Sequence, residues 1–261
     1  MSRSTMIEDV AARLAVAERE CQPVLPVAET LGLGDVAAAY AVQAALTSSA
    51  LAAGRRRVGR KIGLTSKAVQ AQLGVDQPDY GALFADMGVD HDGEVATAAL
   101  IQPRIEAEVA LVLSRDLTAP DTTSAELIGA VDHAVAALEI VDSRIADWQI
   151  SIVDTIADNG SSARFVLGLE PRRLADLDLE TCGMVMTRNG DTVSVGSGAA
   201  CLGHPLKAAL WLARTMAAAG EPLRAGEIIL TGALGPMVSA QAEDRFEARI
   251  GGFAPVRVRF G

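Results

Sequence analysis

The chain has 261 residues; half are hydrophobic, 3% are aromatic, and the formal net charge is -10. This length allows one large domain with a substantial core. The acidic balance and the shortage of aromatic residues argue against nucleic-acid binding, which needs basic side chains and stacking platforms. No apolar run has the length of a membrane span. Three widely spaced cysteines argue against a disulfide scaffold, so we expect a cytoplasmic protein.

The first part of the chain is predicted to be helical. Apolar residues follow helical spacing between residues 5 and 20. Asp35 is a candidate N-cap for a second helix that runs to about Ala53 and ends at Gly54. After Gly59 the sequence changes to short apolar runs separated by glycine, proline and aspartate, which is typical of strands and turns. We therefore expect a helical part over 1–60, packed on a β-rich core over 61–261 in a single folding unit.

The core is predicted to contain helices among its strands. One short helix is expected over 67–73, another from Ser124 to about Ala134, and a third from Pro205 to about Ala219. Strands are predicted over 184–187 and 192–195, joined by an Asn189-Gly190 turn, and over 227–231, 245–250 and 256–260. This order of elements predicts an α+β fold rather than regular βαβ alternation.

Two glutamates lie in the apolar segment 104–113. Side chains of a strand alternate between its faces, so Glu106 and Glu108 are expected to project from the same face. The opposite face then carries an apolar stripe of Ile105, Ala107, Val109, Leu111 and Leu113. A solvated strand face is one explanation for such a pattern, because half-exposed strands alternate apolar and polar residues.

A third acid favours another explanation. Glu139 is the single charge in the apolar run 136–141, which is typical of a buried strand. Buried carboxylates are rare unless they are paired, and a hard divalent cation is a natural partner for three of them. If Glu106, Glu108 and Glu139 converge, the sequence predicts a Mg²⁺ or Mn²⁺ site in an enzyme.

Other sequence patterns that could indicate a ligand-binding or metal-binding site do not support one. The segment 54–61 resembles a phosphate-binding loop, but Arg60 follows the second glycine, where that loop requires lysine. His133 is predicted to lie on a helix surface, and His204 is predicted to begin a helix rather than to bind a metal.

Blocks of sequence after the N-terminal helices match a known family in order. They include GRKIGLTSK (59–67), QLGVDQPDYG (72–81), LFADM (83–87), PRIEAE (103–108), LEIV (138–141), SRIADW (143–148), DT (154–155), ADN (157–159), CLGHP (201–205) and ILTGALGPMV (229–238). With these blocks the chain resembles the 2-oxopent-4-enoate (2-hydroxypenta-2,4-dienoate) hydratases of the fumarylacetoacetate-hydrolase-like superfamily.

The resemblance implies a mixed β-roll or barrel core that binds metal, and it implies residue roles. Glu106, Glu108 and Glu139 are the implied ligands of Mg²⁺ or Mn²⁺, and Lys61 and Asp79 are the implied catalytic residues. Substrate contacts are expected from Ser161, Ser162, Leu64 and Thr65.

The implied activity is hydration of 2-hydroxypenta-2,4-dienoate to 4-hydroxy-2-oxopentanoate in the meta-cleavage degradation of aromatic compounds. Three carboxylates leave about three of six metal positions for a chelating 2-oxo acid and water. Lys61 is the candidate positive group near the substrate carboxylate, and Asp79 is the candidate for positioning or activating water. The family also implies a homo-oligomer, with other enzymes of the pathway as possible partners.

Three other functions stay open. Asp142 stands where close hydratases often have glycine and resembles the sister 4-oxalocrotonate decarboxylases, which act on 2-oxo-3-enedioates. A hydrolase of acylpyruvates is disfavoured, because no histidine lies near the matching blocks. A silent partner subunit is also disfavoured, because Lys61 and the three glutamates are all present.

Overall fold

In a computed structural model of the protein, the described residues are 2–67, 70, 75 and 77–261. The helix predicted over 67–73 lies largely outside them. Within these ranges, every helix is too short or too polar to cross a membrane.

Three helices form the N-terminal part: α1 (Arg3–Glu20), α2 (Ala28–Leu31) and α3 (Val36–Ala52). The predicted cap is confirmed, since the Asp35 carboxylate accepts a hydrogen bond from the Ala38 backbone N–H at 2.9 Å. The apolar faces of α1 and α3 pack together around Leu14 and Val42, which are buried. The division of the chain at residue 60 stays a prediction.

The rest of the chain forms two mixed sheets. The strands are β1 (Arg57–Gly63), β2 (Asp79–Phe84), β3 (Gly88–Val89), β4 (Glu94–Val95), β5 (Arg104–Leu113), β6 (Val131–Val141), β7 (Ser162–Leu167), β8 (Gly183–Arg188), β9 (Asp191–Ser197), β10 (Ile228–Leu230), β11 (Val238–Ser239), β12 (Arg245–Ile250) and β13 (Val256–Phe260). The larger sheet has the order β2-β1-β10-β5-β6-β7-β3, with β11 paired to β5, and the smaller has the order β4-β13-β12-β8-β9.

Helices α4 (Ser124–Ala130), α5 (Ile152–Ala157) and α6 (Pro205–Ala218) connect these strands. The predicted helix at α6, its start at His204, the β8–β9 hairpin and the closing strands are confirmed.

The helix predicted from Ser124 to Ala134 is partly wrong. Thr123 is the N-cap, because its side chain and that of Glu126 bond reciprocally to the backbone. The chain leaves the helix at Val131, where the ladder with β5 begins, so His133 lies on a strand. The backbone pairing of β6 with β5, ten residue pairs in all, outweighs the local helical pattern here.

The pairing of β5 with β6 is the centre of the core. The predicted apolar stripe of β5 is buried against the smaller sheet, in a cluster that includes Leu111, Leu138, Phe246 and Phe260. The opposite face of the same strands carries the acidic residues, so the packed side fixes the orientation of the polar side.

Candidate active site

The ladder between β5 and β6 brings the three glutamates together. Glu106 lies directly opposite Glu139 in the antiparallel register, and Glu108 is two residues farther along β5 on the same face. One carboxylate oxygen from each lies within 4.8 Å of the other two. All three are buried, and Glu108 and Glu139 have no exposed surface. A solvated strand face is therefore the wrong explanation for the pattern.

The carboxylates are held by neighbouring donors but are not fully satisfied. The Gly232 backbone N–H donates to Glu108 Oε2 at 2.7 Å, and the Ser162 hydroxyl donates to Glu139 Oε1 at 3.2 Å. Glu108 Oε1 is buried without a hydrogen-bond partner among the described residues. Burial and then the charge of Glu139 raise the pKa of Glu106 to about 7 and place the pKa of Glu108 well above its usual value.

Lys61 is the buried cation of this cluster. It lies on β1, and its Nζ donates to Glu139 Oε2 at 3.2 Å. Burial opposes its charge, but surrounding carboxylates, with Glu139 first, raise the pKa of its amine above the usual value. One ammonium faces four buried carboxylates, those of the glutamates and of Asp79. This excess of negative charge and the orphaned oxygen of Glu108 fit a hard divalent cation with oxygen ligands.

Asp79 begins β2 and lies opposite Gly63 of β1. Glycine is needed at that position, because a Cβ there would overlap Asp79 Oδ1. The Thr155 hydroxyl of α5 donates to Oδ2 at 3.4 Å, while Oδ1 is buried without a partner among the described residues. Burial raises the pKa of Asp79, although the Lys61 amine lowers it. One oxygen of this carboxylate is thus fixed and the other is available.

A cavity of about 120 Å³ is lined by several of these groups. Its polar lining residues include Lys61, Asp79, Glu106, Thr155 and Ser161, and its apolar lining residues are Val141, Trp148, Ile150, Ala233 and Met237 among others. The structure therefore brings the predicted catalytic lysine and aspartate and one predicted metal ligand to a single cavity.

The predicted substrate-binding residues have different positions around this cavity. Leu64, Thr65 and Ser161 line it. Thr65 also lies against Gly232, the partner of Glu108, so close that a Cβ on this glycine would lie 2.5 Å from Thr65 Oγ1. Ser162 is absent from the lining, and its hydroxyl is directed at Glu139.

Ser161 belongs to a strained turn that sequence reasoning missed. Asn159, Gly160 and Ser161 have φ values of +55°, +62° and +55°. Asp158 stabilises the turn, because its carboxylate accepts hydrogen bonds from the Ser161 hydroxyl at 3.0 Å and from Arg144 Nε at 2.5 Å. Gly160 lies against Lys61, since a Cβ at this glycine would lie 2.8 Å from Lys61 Cε. Asn159-Gly160 is a local turn signal, whereas only the fold brings Arg144 and Lys61 against this turn.

Asp142 also has a position that its sequence context did not reveal. Its carboxylate accepts hydrogen bonds from the backbone N–H groups of Ile101 and Gln102, at 2.8 and 2.6 Å. It is not among the residues that line the 120 Å³ cavity. Asp142 therefore fixes the segment before β5.

Comparisons with known proteins identify the family of the chain. The family model "Fumarylacetoacetate (FAA) hydrolase C-terminal" matches residues 51–260. A 2-keto-4-pentenoate hydratase of Paraburkholderia phymatum is 54% identical over 260 residues, covering 100% of this chain and 99% of the relative. The 2-keto-4-pentenoate hydratase 1 of Dechloromonas aromatica is 55% identical over 263 residues and matches over 100% of both chains.

The fold has a solved counterpart. The 4-oxalocrotonate decarboxylase from Pseudomonas putida G7, complexed with magnesium and adipate, superposes with a TM-score of 0.95 at 35% identity, over 100% of this chain and 99% of that one. The likeness confirms the predicted α+β class with an N-terminal helical part.

Proposed function

Because the chain belongs to the fumarylacetoacetate hydrolase family, as its sequence blocks predicted, we propose that it hydrates 2-hydroxypenta-2,4-dienoate to 4-hydroxy-2-oxopentanoate. The observation that carries this proposal is the cluster of three buried glutamates beside Lys61 and Asp79, of which Lys61, Asp79 and Glu106 line one cavity. Relatives that match the chain over its full length are named as hydratases of this substrate. We place the reaction in the meta-cleavage degradation of aromatic compounds.

Glu106, Glu108 and Glu139 are the residues that would hold Mg²⁺ or Mn²⁺. When bound, such an ion supplies a Lewis acid that stabilises negative charge on the 2-oxo acid end of the substrate. Ser162 and Gly232 orient two of the carboxylates through their hydrogen bonds. We assign Ser162 to positioning rather than to direct substrate contact.

Lys61 and Asp79 have the two remaining roles, which are binding of the substrate carboxylate and proton transfer. The Lys61 ammonium binds the substrate carboxylate, since its pKa keeps it charged. Protonated Asp79 gives its proton to C5, and the resulting carboxylate takes a proton from the water whose oxygen bonds to C4. The enol that remains moves its hydroxyl proton to C3, which yields the 2-oxo product. Thr155 fixes one oxygen of Asp79 and leaves the other for these transfers.

The test follows the ultraviolet absorbance of 2-hydroxypenta-2,4-dienoate with purified protein and Mg²⁺. Glu106→Gln removes one ligand charge at constant shape and is expected to abolish turnover and to weaken Mn²⁺ binding in calorimetry. The control Glu20→Gln changes an exposed glutamate of α1 and is expected to leave both unchanged. Unchanged activity of Glu106→Gln, or full activity after thorough chelation, would contradict the proposed metal site.

The decarboxylase alternative rests on the likeness to the solved 4-oxalocrotonate decarboxylase. Asp142 is the residue that suggested a decarboxylase in the sequence. Its carboxylate accepts hydrogen bonds from two backbone N–H groups. Release of carbon dioxide from 4-oxalocrotonate, measured beside hydration of the pentadienoate, separates the two activities. Absence of both turnovers, with co-purification of a pathway enzyme, would favour a partner subunit.

We also propose that the protein works in the cytoplasm as a homo-oligomer. The family resemblance supports this proposal, and the N-terminal part exposes Leu25 and Leu33, at 73% and 82%. Sedimentation velocity of the purified protein measures the number of subunits, and a monomer would contradict this proposal.

A further inference from the structure

Several apolar side chains that line the active-site cavity have no role in the mechanism above. This apolar wall consists of Val141, Trp148, Ile150, Ala233 and Met237. Trp148 is the largest of these side chains and is half-buried, so one part of its ring can face the cavity while the rest is packed. The inference drawn from this wall rests on the proposed function, because it concerns the other end of the same substrate.

The strand register gives the distance between Val141 of this wall and the acidic cluster. Val141 lies opposite Arg104, two residues along the ladder from the Glu139–Glu106 pair. Two residues of extended strand correspond to roughly 7 Å. This is comparable to the span of a five-carbon acid, so a substrate held at the glutamates by its 2-oxo acid end extends its alkene end to the apolar wall.

The indole of Trp148 is held firmly in place. Asp147 and Trp148 both have left-handed backbone conformations, with φ values of +56° and +55°, which are costly for residues other than glycine. The indole N–H donates to the Gln102 carbonyl at 3.0 Å. The guanidinium of Arg104, on β5, lies 4.3 Å from the centroid of the indole ring.

Asp142 completes this support. It fixes the backbone N–H of Gln102, the same residue whose carbonyl accepts from the indole. The side chain of Gln102 is tied in turn to the Ile145 carbonyl at 2.5 Å. A strained backbone, held by several independent contacts, keeps one aromatic ring in the lining of the cavity, and such strain is typical of functional positions.

We propose that Trp148 is the specificity-determining residue of this enzyme. Its ring contacts C4 and C5 of the substrate and limits the size of the substituent on C5. The wall selects an apolar tail, because a second carboxylate packed against these apolar side chains would lose its hydration.

Tryptophan fluorescence tests the contact without any turnover. The chain has two tryptophans, and Trp211 lies outside the cavity, beside Tyr80. The probe is 2-oxopentanoate, which has the right length but no alkene to hydrate, added to the Mg²⁺-loaded protein. We expect Trp211→Phe to keep a saturable change in emission and Trp148→Phe to lose it. A response that follows Trp211 instead overturns the proposal.

Substrate preference tests the consequence. Trp148→Ala opens the wall, so kcat/KM for 2-hydroxyhexa-2,4-dienoate relative to 2-hydroxypenta-2,4-dienoate is expected to rise about tenfold or more. The control Trp211→Phe is expected to leave this ratio unchanged. An unchanged ratio in Trp148→Ala, or a shift of preference toward 4-oxalocrotonate, overturns the assignment. Failure of the proposed function looks different, since 2-oxopentanoate would still change the emission of Trp148 while neither dienoate is hydrated.

Discussion

The buried ion pair between Asp158 and Arg144 supports the turn that borders Lys61, and its removal has a calculable effect. Arg144 donates to Asp158 through Nε and through its backbone N–H, and its Nη1 reaches the carbonyl of Asp142 at 2.6 Å. Both side chains are almost fully buried. Asp158→Ala leaves the buried guanidinium charged and without the carboxylate that pairs with it.

The expected cost comes from that stranded charge. Breaking a buried pair by removing one partner destabilises a protein by about 3–5 kcal/mol, whereas an exposed pair contributes up to about 1 kcal/mol. Replacing both partners by apolar groups is far less harmful, because no charge is left buried. We therefore expect Asp158→Ala to lose about 3–5 kcal/mol, and Arg144→Met combined with Asp158→Ala to lose less than Asp158→Ala alone.

Urea unfolding followed by circular dichroism measures these differences. All variants are compared at one protein concentration, because assembly would add to the apparent stability. A lower midpoint with an unchanged m-value reports a loss of stability in the folded state. The reasoning fails if Asp158→Ala costs less than about 1 kcal/mol, the value of an exposed pair. It also fails if the loss of unfolding free energy in the double variant equals the sum of the losses in Asp158→Ala and in Arg144→Met measured separately.

The elements that the sequence predicts well are those with local signals. Asp35 at the start of α3 and Asn189-Gly190 in the β8–β9 hairpin act through their own backbone, so their patterns can be interpreted without knowledge of the fold. The segment 131–134 continues a helical pattern, but pairing with β5 makes it a strand. Such pairing partners lie far away in sequence, and local periodicity does not contain them.

Local sequence patterns also predict only part of the active site. The alternation of β5 predicts that Glu106 and Glu108 share a face, and the apolar neighbours of Glu139 predict its burial. The positions of Lys61 and Asp79 beside them depend on the order of strands in the sheet, so a resemblance to a family was needed to propose them. Trp148 has no local signal beyond the rarity of tryptophan in this chain.

Two further predictions follow from caps and glycines. Thr123→Ala removes the cap of α4 and is expected to lower the free energy of unfolding by about 1 kcal/mol in the same urea assay; no change would show that β6 alone fixes this helix. Gly232→Ala is expected to weaken Mn²⁺ binding in calorimetry, because a Cβ there meets Thr65 and displaces the N–H that binds Glu108. Gly220→Ala is the matched control, since this glycine also has a positive φ but its Cβ would meet nothing within 4 Å. Both alanines carry backbone strain, so only the variant at Gly232 should lose metal affinity, and equal affinities would show that the Glu108 contact does not organise the site.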